Sequence, residues 1–166
     1  NLNRQVMSNE SNIGKSKAVE AASQMKLINS EVDITPIQIE VTEENCSQLI
    51  SGHDLVIDAV DNIKARLILE EACEEEGVTL IHGAIAGWNG QVAVIHPGDR
   101  LLQNIYQGNE DKGDELQTGT PSFTPAVVSG LQTAEAIKVL LGREGVLEKK
   151  MLMIDVLEHE YEVITL

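Results

Sequence analysis

The sequence predicts an α/β protein built on a doubly wound, mainly parallel sheet that ends in a C-terminal β-hairpin. The first indication is an almost continuous apolar run at 55–60, typical of a parallel strand covered on both faces. The second is a helical segment at 63–76, which two further apolar strands follow at 78–82 and 90–97. Strand, helix and strand in this order indicate right-handed βαβ units, and ligands bind such sheets beyond the carboxyl ends of their strands.

Three elements are predicted before this run. Ser16 is suited to cap a helix that ends at Asn29, since hydroxyl side chains accept hydrogen bonds from the first turn of a helix. Apolar residues alternate over 32–41 and predict an edge strand or a bulge, with the break in the alternation at Pro36. A short acidic helix is expected over 43–50.

Three more elements are predicted towards the end of the chain. Residues 98–122 are polar and rich in glycine without a periodic pattern, which predicts a long loop of functional importance. A long helix follows, with Thr124 as its cap and Gly142 past its end. Strands at 151–156 and 159–166 then complete the hairpin.

Composition limits the class of protein and its partners. The 166 residues are 42% hydrophobic, enough for the core of one domain, which we expect to span 1–166. Asp and Glu outnumber Lys and Arg by 27 to 12, a net charge of −15, so nucleic acid is not expected as a partner. No apolar run approaches the roughly 18 residues of a membrane span, so no membrane partner is expected.

Two features concern the cellular context. The chain has two cysteines and no signal peptide, which favours the cytoplasm. It opens at Asn1 on a polar segment without a strand or a Met, so we expect it to be the interior of a larger protein.

Polar residues gather where the carboxyl ends of the predicted strands meet, namely Asp58, Asp61, His82 and Gly83. Asp61 suits a magnesium ion, which prefers carboxylate oxygen and keeps several of its waters. Arg4, Lys15 and Lys17 are three of only 12 basic residues and are able to surround a triphosphate. Together these groups indicate nucleotidyl transfer, in which catalysis is mostly positioning and charge neutralisation. The alternative is that Lys15 and Lys17 only solvate the start of a helix.

Other candidate groups have simpler interpretations. Asp58 and Asp61 form a general acid–base pair, or else Asp58 only caps a neighbouring loop, which is the interpretation favoured here. The four histidines show no metal-ligand spacing. Cys46 lies among acidic residues and Cys73 on the apolar side of a helix, so neither is expected to act as a nucleophile.

Five ordered motifs resemble the ubiquitin-activating-enzyme-like superfamily, and most closely its bacterial branch, the ThiF/MoeB/HesA adenylyltransferases. The motifs are NLNRQ at 1–5, IGKSKAVEAA at 13–22, DLVIDAVDNIKAR at 54–66, HGAIAGWNGQVAVIHPG at 82–98 and TPAVVSGLQTAEAIKVLLG at 124–142. The resemblance covers nearly the whole chain and implies a Rossmann-like fold. It also implies that ATP and Mg²⁺ are used to adenylate the C-terminal glycine of a ubiquitin-like or sulfur-carrier protein ending in Gly-Gly, with release of pyrophosphate.

The resemblance also implies roles for single residues. Arg4 matches the arginine that contacts the triphosphate, and Asn1 of the same motif faces the nucleotide. Lys17 matches the lysine that neutralises phosphate charge in the transition state. Asp61 matches the magnesium-binding aspartate, and Asn62 belongs to the cofactor-binding set. Arg66 completes that motif as a supporting residue, the loop 98–122 resembles the crossover loop over the carrier's tail, and a homodimer is expected.

The sequence departs from the family pattern in three places. The glycine-rich nucleotide loop that precedes NLNRQ in the family is absent, so we expect the chain as given to bind ATP poorly. A CxxC pair is replaced by LLQNIYQG at 101–108, so zinc is not expected. A cysteine found before the last helix in the thiamine branch is replaced by TGTPSFTP at 118–125, which favours an enzyme that only adenylates, as in the molybdopterin branch.

Two other function classes compete with an adenylyltransferase. One is a non-catalytic module that binds a carrier protein or a homologous subunit without using ATP. The retention of Arg4, Lys17 and Asp61 argues against it. The other is an NAD-dependent oxidoreductase, which requires a glycine fingerprint that the sequence does not contain.

Overall fold

The computed structural model describes residues 1–106 and 118–166. Of the predicted loop 98–122, residues 107–117 lie outside the described residues. The described residues form two compact units, Asn1–Glu40 and Val41–Leu166. The single domain expected over the whole chain stays a prediction.

The first unit contains a 3₁₀ turn at Glu10–Asn12 and the helix α1 at Lys17–Ile28. The Oγ atom of Ser16 accepts a hydrogen bond from the N–H of Val19 at 3.4 Å, so the predicted cap is confirmed. Asn29 closes the helix as predicted, directly after its last residue Ile28, and its backbone N–H donates to the carbonyl of Met25.

The strand predicted over 32–41 is wrong for the described structure, where this segment belongs to no strand. An alternating pattern produces a strand only when a neighbouring strand supplies hydrogen bonds, and no described strand pairs with it. Pro36 moreover has no N–H to donate. Val32 and Ile37 are each 49% exposed, so the apolar side chains of this segment have little packing to hold them in a pleat.

The second unit carries the sheet. In chain order it contains α2 (Glu43–Ile50), β1 (Leu55–Ile57), α3 (Ile63–Glu76), β2 (Thr79–Ala86), β3 (Asn89–Ile95), α4 (Leu101–Ile105), α5 (Phe123–Leu140), β4 (Lys150–Asp155) and β5 (Glu160–Thr165). The strands are ordered β1-β2-β3-β4-β5 across the sheet. The predicted α/β class and the C-terminal hairpin, formed by β4 and β5, are therefore confirmed.

The directions of the described strands correct one expectation, that of a mainly parallel sheet. Only β1 and β2 pair in parallel, joined by α3 in the predicted βαβ unit. The pairs β2–β3, β3–β4 and β4–β5 are antiparallel. The β2–β3 pair is antiparallel because the two-residue turn Gly87-Trp88 can only form a hairpin, whereas a parallel return needs a crossover.

Helices cover both faces of this sheet. On one face α2, α3 and α4 pack on Leu80, Ala93 and Ile95. On the other face α5 packs on Ile81 and Val94, and on Val92 further along. Within the part of the chain that the structure describes, no helix is long and apolar enough to cross a membrane.

Two local differences from the sequence expectations have clear causes. Residues 101–105 form the short helix α4 inside the predicted loop, because Leu102 is fully buried and anchors that turn in the core. Thr124 does not cap α5, whose first residue is Phe123. Its hydroxyl instead donates to the carbonyl of Gly87 at 2.7 Å and so ties the helix start to the β2–β3 turn.

Candidate functional site

The candidate site begins where β1 ends. The N–H of Asp58 donates to the carbonyl of Ile81 at 2.9 Å, which continues the parallel pairing by one residue. The Asp58 side chain is buried, and its Oδ1 atom accepts a hydrogen bond from the N–H of Val60 at 3.1 Å. A carboxylate enclosed in this way is a poor general acid or base for an external substrate, so the geometry favours the capping interpretation of Asp58.

Arg66 holds the same turn from α3. Its Nη2 atom donates to the carbonyl of Val60 at 2.9 Å, and its Nε atom lies 3.2 Å from Oδ2 of Asp58. The side chain of Arg66 is only 6% exposed. Both polar backbone groups of Val60 are therefore bonded to buried charged side chains, which fixes the peptide group that enters Asp61.

Asp61 itself is exposed at the end of this fixed turn. The Nδ2 atom of Asn62 donates to its Oδ1 atom at 3.3 Å. Asn62 also caps α3, because its Oδ1 atom accepts from the N–H of Ala65 at 2.8 Å. The structure thus brings two predicted site residues together and gives Asn62 a capping role in addition to the predicted one.

The donor chemistry at Asp61 fits a magnesium ion shared with a triphosphate. Mg²⁺ is usually held by one or two carboxylates together with substrate phosphates and waters. Among the described residues no group of three or more His, Cys, Asp or Glu side chains is arranged to hold a metal by itself. A single exposed carboxylate on a fixed backbone is therefore the kind of ligand that this chain offers.

A buried polar chain extends from Asp58 away from Asp61. The Nδ1 atom of His82 lies 2.7 Å from Oδ2 of Asp58, and neither side chain is exposed. The Nε2 atom of Gln91 lies 3.0 Å from Nε2 of His82 and donates to the hydroxyl of Tyr106 at 2.8 Å. With this amide orientation Gln91 donates to both neighbours, so His82 accepts at Nε2 and donates from Nδ1 to Asp58.

The opposite face of the sheet supports the same strand end. Nε2 of Gln132 on α5 donates to the carbonyls of Asp58 at 2.7 Å and Ile81 at 3.2 Å. Gln132 is buried, and so it crosslinks β1, β2 and α5 from within the core.

The remaining predicted site residues lie in the first unit. The Nη2 atom of Arg4 donates to Oδ1 of Asn1 at 3.0 Å, so these two predicted residues are in contact. Lys17 is the first residue of α1, and Lys15 lies 3.8 Å from Glu20. That all of these residues surround one nucleotide together with Asp61 stays a prediction.

Neither cysteine has an activated thiol in this structure. Burial, followed by the neighbouring Cys46 and Glu70, raises the pKa of the Cys73 thiol to about 12. Burial, followed by Glu75, also raises the pKa of Cys46. Since the thiolate is the nucleophilic form, these shifts support the prediction that neither cysteine is a nucleophile.

Sequence reasoning missed the network around Asp58. The sequence places His82 near the strand ends but predicts no contact with Asp58, and it does not single out Gln91, Tyr106 or Gln132. The pairing of Asp58 with His82 had a signal in the sequence, because each of these polar residues directly follows an apolar strand residue. In the parallel register those two apolar residues, Ile57 and Ile81, lie opposite each other. The contributions of Tyr106 and Gln132 depend on tertiary packing and had no such signal.

The fold defines the class of protein first. A βαβ unit in a sheet covered on both faces by helices is Rossmann-like, and solved structures share this architecture. E. coli MccB crystallised with ATP aligns with 99% of this chain and 52% of its own, at a TM-score of 0.79 and 17% identity. PaaA aligns with 99% of this chain and 60% of its own, at a TM-score of 0.75 and 13% identity. Likeness at these identities shows the fold.

The family follows from the sequence. The model of the ThiF family matches residues 1–166, and the chain belongs to that family. A SAMP-activating enzyme E1 of Haloferax volcanii is 30% identical over 167 residues, which cover 99% of this chain and 62% of that protein. A sulfur carrier protein adenylyltransferase of Thermus thermophilus is 33% identical over 174 residues, which cover 99% of this chain and 64% of that protein. The chain therefore spans less than two thirds of the length of either relative.

Proposed function

We propose that this protein adenylates the C-terminal glycine of a ubiquitin-like or sulfur-carrier protein, with ATP as the second substrate and pyrophosphate as a product. The observation that carries the proposal is the exposed Asp61 carboxylate on a backbone turn fixed by Asp58 and Arg66, at the carboxyl end of a parallel strand. The names of the two relatives, which refer to SAMP activation and to a sulfur carrier, support the substrate class.

The reaction needs no redox partner and no proton transfer at the reacting atoms. One oxygen of the carrier's C-terminal carboxylate forms a bond to the α-phosphorus of ATP. The bond from that phosphorus to the oxygen bridging to the β-phosphorus breaks, and its electron pair leaves with pyrophosphate. The demands on the protein are therefore alignment of two anions and compensation of their negative charge.

Different residues of this chain align the two anions and compensate their charge. Arg4 offers a planar guanidinium for bidentate contact with phosphate oxygens, and Lys17 offers a point charge. Asn1 and Asn62 contribute polar contacts to the nucleotide. Asp61 would hold Mg²⁺, which would supply compensation of the negative charge on the phosphates.

Partner and setting follow from the same hypothesis. A partner that is a protein with a Gly-Gly tail is compatible with the net charge of −15, which disfavours polyanions. A homodimer in the cytoplasm, without zinc, is the form in which we propose that the protein acts.

The test is exchange of labelled pyrophosphate into ATP by the protein purified from its natural start, with its intact mass compared with 18.1 kDa. We expect exchange that depends on Mg²⁺ and on a carrier ending in Gly-Gly, and a carrier lacking its last glycine as the control gives none. Carrier binding without any exchange would overturn the proposal in favour of the non-catalytic module.

A further inference from the structure

We propose that His82 is a positioning residue for Asp61, acting through Asp58 and Val60. The inference rests on the proposed function, because the role of Asp61 as a magnesium ligand belongs to it. His82 does not touch the reacting atoms in this scheme. It orients the carboxylate that fixes the turn on which Asp61 lies.

The polar network around Asp58 is costly to bury. Arg66, Asp58, His82, Gln91 and Tyr106 form a continuous polar chain, and the first three side chains are almost completely buried. Buried charged groups contribute little net stability, because the loss of their hydration offsets the attraction between them. Well-packed apolar residues often serve a core as well, so stability alone does not account for the network.

Both oxygens of the Asp58 carboxylate have hydrogen-bond partners. The carboxylate of Asp58 bonds Val60 through Oδ1 and His82 through Oδ2. A carboxylate held at both oxygens does not rotate freely about the bond that carries it. Removing the His82 donor leaves Oδ2 with the guanidinium of Arg66, whose Nε atom lies 3.2 Å away, and the hydrogen bond of Oδ1 to the Val60 N–H then loses part of its fixed orientation.

The other end of the His82 imidazole has a separate partner. Nε2 of His82 meets Gln91, which in turn donates to Tyr106 at the end of α4. His82 therefore has two separable contacts, one towards Asp58 and one towards α4. The positioning role assigned to it requires the first contact and not the second.

Two substitutions separate these contacts. In His82→Asn the side-chain amide takes the place of Nδ1 and retains a donor for Asp58. In His82→Gln the amide reaches the place of Nε2 and retains the contact with Gln91. His96→Gln is the matched control, since His96 pairs with Thr79 away from the turn.

The kinetic expectation is a difference between the two variants. His82→Gln lowers kcat of pyrophosphate exchange about 10- to 100-fold, the usual effect of losing a group that orients a metal ligand. We expect KM for the carrier to stay within about 3-fold, because His82 is fully buried and offers no surface to the tail. His82→Asn restores kcat to within about 3-fold of the wild type, and His96→Gln leaves it unchanged. Equal losses in both His82 variants, in proportion to a lowered Tm, would overturn the proposal.

A second readout requires no activity and no variant. In the wild type without ATP, amide hydrogen exchange at Val60 should be slowed like that of Asp58, whose N–H bonds to a strand carbonyl. Rapid exchange at Val60, as in an open loop, would refute the positioning role even if every variant failed to fold. Slow amide hydrogen exchange at Val60, in a protein that does not catalyse pyrophosphate exchange, would refute the proposed function and would still support the fixed turn.

Discussion

The side-chain amide of Gln132 fills the space beside Gly83. A Cβ atom built on Gly83 would lie 2.3 Å from Cδ of Gln132, far inside the contact distance of two carbon atoms. Gly83 follows His82 on β2, so these two adjacent strand positions face opposite sides of the sheet, with the imidazole of His82 on one side and the amide of Gln132 against Gly83 on the other. The absence of a side chain at 83 is what allows α5 to reach the carbonyls of Asp58 and Ile81.

Gly83→Ala is therefore expected to destabilise the protein by about 1–3 kcal/mol, the usual cost of overpacking a buried site. The amide of Gln132 is flexible enough to move, but moving it leaves the carbonyl of Asp58 without that buried donor. Urea unfolding followed by circular dichroism measures the loss.

Two controls make this prediction specific. Gly130→Ala on the exposed face of α5 meets nothing within 4 Å and should stabilise the helix by about 0.5–1 kcal/mol. In a Gln132→Ala background the cost of Gly83→Ala should largely disappear. Full additivity of the two substitutions would show that they do not share this space.

Asp61→Ala is predicted to abolish pyrophosphate exchange with little loss of stability. The side chain is exposed and its carboxylate accepts from Asn62, so the fold does not depend on it. Exchange and Tm are measured on the same preparation, and Asp54→Ala, a second exposed aspartate of the same unit, is the matched control. Retained exchange in Asp61→Ala would exclude the metal role.

The sequence was sufficient for features that depend on neighbours along the chain. The cap at Ser16, the helix from Ile63 to Glu76 and the final hairpin all follow from local patterns that the structure reproduces. The strand predicted over 32–41 failed because alternation describes a strand's faces but cannot supply its hydrogen-bonding partner.

The candidate site also contains residues that local sequence patterns predict and residues that they do not. Asp61 and Asn62 are recognisable because they directly follow the apolar run at 55–60. The network behind them is not, since Gln132 is 74 positions from Asp58 and Tyr106 is 15 from Gln91. Such contacts are decided by how α5 and α4 pack on the sheet, which no periodicity in the sequence records.

The raised pKa of Cys73 predicts both a reactivity and a pH dependence. With a folded pKa of about 12 against an ordinary value of 9.0, the thiol stays protonated at pH 8 and should resist iodoacetamide until the protein unfolds. Because the folded pKa is the higher one, its contribution to stability is complete below pH 9 and is lost as the pH rises towards 12.

Mass spectrometry of the alkylated protein, native and in urea, checks the reactivity of Cys73. Cys73→Ala should make the free energy of unfolding fall less steeply above pH 9, and it should leave pyrophosphate exchange unchanged. Labelling of the folded protein at pH 8 as fast as in urea would contradict the burial of this thiol.

Glu70→Gln should loosen α4 specifically. The buried carboxylate of Glu70 accepts from the N–H of Leu102 at 2.7 Å and from that of Gln103 at 2.9 Å, and so caps the helix from α3. An amide has one acceptor and turns its NH₂ group towards the other donor, at a cost of about 1–3 kcal/mol. Hydrogen exchange at Leu102 and Gln103 should accelerate more than exchange in β2. Glu71→Gln, exposed and adjacent, should stay within about 0.5 kcal/mol of the wild type, and an equal effect at both positions would rule out the cap.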